Sequence, residues 1–182
     1  MGKLTAIDLR ALNEGMPGLS SVVGGSLAEA AAVCLEEQSH PETCKMSLSG
    51  HRKRKLQVTR DKVTEQARRT WNDAPEATEQ GACAIAISIA KELEGLNVVQ
   101  RAAKGTGFDY WLGKQEDLLF QETVRLEVSG IRNATKGEFN SRIKQKKKQT
   151  KQSDSTALKA LIAVVDFGIP KTGIAWRGAE SH

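Results

Sequence analysis

The sequence predicts an α/β fold of the α+β kind: a helix, a mixed β-sheet, a second helix and a further strand, preceded by an N-terminal elaboration of helix and hairpin. Two observations carry that expectation. From residue 73 onward the texture passes from a long helical apolar stripe to three short alternating runs, then to a basic helical stretch and a nearly continuous apolar run. In addition, 182 residues suffice for one domain with a real core, and no linker long enough to divide the chain is visible. Residues 1–72 are therefore read as the elaboration and residues 73–182 as the core.

Taken in order, Gly15, Pro17, Gly18, Gly24 and Gly25 punctuate the start, so any early helix is expected to be short. SLAEAAAVCLEEQSH predicts a helix with Ser26 as its N-cap and Leu27, Ala31, Cys34 and Leu35 on one stripe. CKMSLSGHRKRKLQV alternates about Gly50 and predicts a hairpin, and RDKVTEQARRTW predicts a helix ending near Asn72. DAPEATEQGACAIAISIAKELEGL is the most regular helix. Asp73 caps it, Glu76 stands where a capping box needs it, and Pro75 fits the first turn. Thr78, Ala82, Ile85, Ala86, Ile89 and Leu93 form its apolar face, and Gly95 stops it.

NVVQRA, FDYWLG and ETVRLEVSGI then read as three successive strands, joined by KGTG and by the polar loop GKQEDLL. KGEFNSRIKQKKKQTKQ reads as a basic helix anchored by Phe139 and Ile143. ALIAVVDFG has the continuous apolar character of a strand buried on both faces, and PKTG turns it into a last strand, IAWRG.

Charge is unevenly spread. The net +5 conceals two basic blocks: nine Lys or Arg against Asp61 and Glu65 between Lys45 and Trp71, and seven against Glu138 between Lys136 and Gln152. The rest of the chain is net acidic. Two cationic surfaces on an acidic body suit a phosphate backbone, which rewards each neutralised charge by counterion release. Nucleic acid, DNA foremost, is the expected partner, with Arg52, Lys53, Arg54 and Lys55 at the hairpin tip and Lys144, Lys147 and Lys148 on the basic helix as contacts. The alternative is a pair of ordinary solvated faces.

Three cysteines and no apolar leader predict a reducing, cytoplasmic setting, and the longest apolar run, ACAIAISIA, is too short to cross a bilayer. No membrane partner is expected. Cys34, His40, Cys44 and His51 are possible zinc ligands, but their spacing matches no standard finger and Cys34 has a packing role. Ser129 as a nucleophile would need a nearby His base, and the three histidines are distant in sequence.

The chemistry points elsewhere. KGTGFDYWLG places Asp109 in the most aromatic stretch of a chain with only 4% aromatic residues. A carboxylate there is costly unless a cation or donors meet it. In TVRLEVSG, Val124, Leu126 and Val128 share one face, while Thr123, Arg125, Glu127 and Ser129 share the other. If the two strands pair, Asp109 and Glu127 project from one face of the sheet. Two converging carboxylates repel each other, and a hard divalent cation relieves that repulsion; magnesium, or manganese, fits better than zinc where His and Cys are lacking.

Asp109, followed eighteen positions on by Glu127-Val128-Ser129 within the order helix, strands, basic helix, buried strand, resembles the PD-(D/E)XK nuclease superfamily, which is restriction-endonuclease-like in fold. The resemblance covers roughly residues 73 to 177. It implies that Asp109 and Glu127 bind magnesium, that Glu79 of the preceding helix joins them, and that the third motif residue, usually Lys, positions or activates the attacking water. Here that residue is Ser129, and Phe108 stands where a Pro usually precedes the Asp. Either a lysine reaches in from elsewhere, Lys144 or Lys104 being the candidates, or the fold has lost catalysis. The expectation is a magnesium-dependent nuclease or nuclease subunit cutting DNA. The alternative is an inactive module of the same fold that binds nucleic acid or assembles with a protein partner or a second copy of itself.

Overall fold

Every strand among the described residues joins one sheet. The computed structural model describes residues 4–114, 123–151 and 158–178. Its strands are β1 (Thr5–Asp8), β2 (Thr43–Gly50), β3 (Arg54–Thr59), β4 (Asn97–Arg101), β5 (Tyr110–Gly113), β6 (Val124–Ile131), β7 (Ala160–Asp166) and β8 (Lys171–Arg177). They lie in the order β1-β3-β2-β8-β7-β6-β5-β4. The meander β4-β5-β6 is antiparallel, β7 runs parallel to β6, and β8 returns antiparallel to β7. Hairpin β2–β3 then extends the sheet by pairing β2 parallel to β8, and β1 closes the edge parallel to β3.

Two helices, α1 (Ser21–Glu37) and α3 (Ala74–Glu94), cover one face and contribute Leu27, Cys34, Ile85 and Ile89 to the main core, with Leu56, Leu126 and Ile174 of the sheet. Cys34 is buried as expected. A short helix, α2 (Glu65–Thr70), packs Ala67 on Ala32 and Val33 of α1. On the other face α4 (Lys136–Gln149) lays Phe139 and Ile143 over Ala160, Ile162 and Val164 of β7. Burying Phe139 contributes roughly 2–3 kcal/mol, and Phe139→Ala is the single change most able to loosen this helix.

Several local expectations change. Helix α1 begins at Ser21 with Ser20 as its cap, six residues before the expected cap Ser26, and carries Gly24 and Gly25 inside it. Close packing explains this: a Cβ on Gly24 would stand 2.1 Å from the carbonyl oxygen of Leu12 in the 3-10 helix Leu9–Glu14. The box expected at Asp73 is half made. Asp73 accepts from the Glu76 N–H at 3.0 Å, but Glu76 accepts from Gln80. The reciprocal box sits instead on Thr135 and Glu138 at the start of α4. Helix α2 starts only at Glu65, and β8 starts at Lys171, inside the expected PKTG turn. Most of the loop GKQEDLL, with Phe120, lies outside the described residues. Among the described residues no helix is long and apolar enough to cross a membrane.

Candidate active site

Asp109 sits where β5 and β6 part. Its main chain donates to Leu126 and accepts from Ala102, and its Oδ2 accepts the Val128 N–H at 2.8 Å. The carboxylate thus takes a ladder position beside β6 beyond the end of β5 as Gly107 and Gly105, both at positive φ, lead the chain away. Tyr110 pairs with Leu126, so continuing the register sets Asp109 opposite Glu127. The expected convergence is there: the two carboxyls interact directly.

Phe108 stacks edge-on to Trp111, with centroids 4.6 Å apart, and stands beside Asp109 in the wall of the site. A cleft of about 650 Å³ opens in front, where Arg101, Lys104, Phe108, Asp109, Glu127 and Gln149 meet. Glu127 lies at its floor with 2% of its side chain exposed. Burial first, then the neighbouring Asp109 charge, pushes its carboxyl up to about 7, against the pull of Lys146. Burial also raises Asp109, opposed chiefly by the Val128 N–H.

Helix α4 supplies the positive charge. Lys146 Nζ donates to Glu127 Oε1 at 2.6 Å and to Gln149 Oε1 at 3.2 Å. One turn earlier Arg142 Nη1 donates to Ser129 Oγ at 3.3 Å, and one turn later the Thr150 carbonyl accepts from Arg125. The match follows from geometry. Residues two apart on a strand are about 6.7 Å apart and residues four apart on a helix about 6 Å, so 129, 127 and 125 pair with 142, 146 and 150.

The lysine expected from this helix was Lys144, and that residue is exposed on the outer side of α4 together with Lys147 and Lys148. Lys146 takes the place because Phe139 and Ile143 set the inward stripe, which continues at 146 and 150 and leaves 144 about 100° away. That periodicity was present in the sequence. Lys104, the other candidate, lines the cleft. Ser129 is held by Arg142. Glu79 is exposed, and it is Cys83, one turn further along α3, that lies within electrostatic reach of Asp109. The Cys83 thiol, bonded to Tyr110, is raised by burial and stays protonated.

No group of three or more His, Cys, Asp or Glu able to hold a metal forms among the described residues. Of the four possible zinc ligands, Cys34 and Cys44 are buried in the core, His40 donates to the carbonyls of Phe167 and Gly168, and His51 lies against Glu94 and Trp176. At the hairpin tip, Arg52 is drawn to Glu94, with Nε 3.2 Å from Oε1, whereas Lys53, Arg54 and Lys55 are exposed. No family model fits the chain, and no curated protein or solved structure matches it at a significant level, so its function is argued from the geometry of this cleft.

Proposed function

We propose that the protein is a metal-dependent nuclease of the PD-(D/E)XK type that hydrolyses phosphodiester bonds in DNA. One observation carries the reading: Asp109 and Glu127 meet at the open end of two paired strands with the Lys146 ammonium on Glu127, in a cleft also lined by Arg101 and Lys104. The succession α3, antiparallel β4-β5-β6, α4 and parallel β7 agrees with the order the resemblance implies.

The donor set fits magnesium or manganese. Such ions need only one or two carboxylates when waters and substrate phosphates complete the shell, and two carboxyls crowded enough to hold Glu127 near 7 gain from a divalent charge. Asp109 and Glu127 would hold the ion, which supplies Lewis acidity at the phosphoryl oxygens and a more acidic water. The chain does the rest. Arg101 and Lys104 attract the substrate backbone into the cleft. Lys146, oriented by Glu127 and Gln149, provides from α4 the cation that Ser129 cannot, and donates to the developing charge on the phosphoryl group.

A second reading has its own support: with Ser129 occupied by Arg142 and Lys146 already on Glu127, the same fold serves as a binding module without cleavage. Incubation with plasmid and oligonucleotides in magnesium or manganese separates the two. Cutting is expected in the wild type and absent in Asp109→Asn and Glu127→Gln. Lys146→Ala should slow it by roughly a hundredfold or more, as loss of a preorganised charge does, while Lys144→Ala cuts nearly normally. Binding with no cutting would select the module, and undiminished cutting by Glu127→Gln would discard this site.

A further inference from the structure

The two faces of the sheet are covered unequally. On one, α1 and α3 close over the main core; on the other, α4 packs on β6, β7 and β8. Hairpin β2–β3 reaches past α4. Its core-side residues, Cys44, Met46, Leu48, Leu56 and Val58, are buried, and the alternate residues Thr43, Lys45, Ser47, Ser49 and Lys55 are exposed. Lys45 lies opposite Gln57 and Ser47 opposite Lys55, so ammonium groups and hydroxyls alternate over a bare surface. A groove of about 760 Å³ runs from Ser47 and Ser49 to Lys53, Arg54 and Lys55 at the tip.

Charge complementarity selects the occupant. No carboxylate stands among the outward residues of β2 and β3, and the nearest in register, Asp8 opposite Thr59, is bonded to Arg10. Lysines with serine and threonine hydroxyls are phosphate ligands. The outward residues include no aromatic side chain, so the face offers no platform on which unpaired bases could stack. What it can hold is a backbone whose bases are turned inward.

We propose that the outward face of hairpin β2–β3 docks the phosphate backbone of double-stranded DNA through Lys45, Ser47, Ser49 and Lys55. This surface is distinct from the carboxylate cleft, since β8 and β7 separate β2 from β6 in the sheet. It anchors duplex without reading sequence. The choice of DNA over RNA rests on the nuclease reading, whereas the phosphate contact rests on the hairpin alone.

The test is fluorescence anisotropy of the full-length protein with a short DNA duplex over a salt series in EDTA, where no cutting can intervene. Lys45→Gln/Lys55→Gln should lower the slope of log affinity against log salt by about two, at roughly 0.9 per phosphate contact. Lys62→Gln/Arg69→Gln, which removes equal charge near α2, should leave that slope unchanged. An unchanged slope in the Lys45/Lys55 variant, or tighter binding to single strands or to an RNA duplex, overturns the proposal. Cutting with no change of slope removes the docking surface alone. A changed slope in a protein that does not cut supports the surface and removes the nuclease reading alone.

Discussion

Glu127 holds its proton to about neutral pH because it is buried beside a second carboxyl, and that has a consequence for stability with a definite sign. Its ordinary value is 4.5, so between 4.5 and about 7 the folded chain keeps a proton that the unfolded chain has released. Stability from this group is therefore highest below 4.5 and falls as pH rises to about 7, by on the order of 3 kcal/mol. Asp109, also raised, acts in the same direction, while Asp8 and Glu138, both held low by hydrogen bonds, act in the opposite one. Subtracting Glu127→Gln from the wild type removes Asp8 and Glu138, and what remains belongs to Glu127 together with the Asp109 it touches. In chelator, the difference in unfolding free energy by urea should decline from pH 4.5 to 7 and then level off; a flat or rising difference would mean that Glu127 is solvated. Sequence alternation was enough to bring Asp109 and Glu127 together, because strands adjacent in the chain usually pair. The identity of the helical lysine was legible as well, since Phe139 and Ile143, read as the anchors of the basic helix, set a stripe that continues at Lys146 and passes Lys144 by.

Among the elements, those with a clean period were legible and those built on close approach were not. Helix α3 runs from its Asp73 cap to Gly95 in the left-handed conformation, as its sequence demands, yet it is buried far beyond its expected stripe. Gly81 explains part of this, since a Cβ there would come within 2.9 Å of Ala31 Cα, so α1 and α3 meet backbone to backbone. Of the glycines that read as breakers in the first 25 residues, Gly15 does end the 3-10 helix Leu9–Glu14 at positive φ, whereas Gly18 and Gly24 are packing residues set against the backbone of Val99 and Leu12. The contrast within α1 is testable. Gly24→Ala drives a methyl into the rigid Leu12 carbonyl and should destabilise by roughly 1–3 kcal/mol. Gly25→Ala meets only the Asn13 side-chain oxygen, 2.6 Å away and able to turn aside, so the gain of about 1 kcal/mol in helix propensity offsets much of the clash. Thermal melts of the two variants should differ clearly in this order; equal melting points would mean that the glycines act as flexible breakers after all.

At the scale of the molecule, the boundary expected between residues 72 and 73 runs through continuous structure. The parallel pairings of β2 with β8 and of β1 with β3 join segments far apart in sequence, and no local pattern announces such pairs. Ile7, Leu9, Leu27, Met46 and Leu56 from before the boundary share one core cluster with Ile85, Leu126, Leu161 and Ile174 from beyond it. Hairpin and helix are thus part of the fold that holds the cleft. A fragment of residues 73–182 would leave the β8 edge unpaired and strip α3 of its contact with α1, uncovering buried apolar groups at roughly 1.5–3 kcal/mol each, against a total stability of only about 5–15 kcal/mol. The fragment should therefore lack a cooperative melt by circular dichroism and bind a dye for exposed apolar surface. Adding residues 1–72 as a separate chain should restore both the transition and the site. A fragment that melts cooperatively on its own would show that the sheet beyond β8 is an appendage, and would return the site to a self-sufficient C-terminal core.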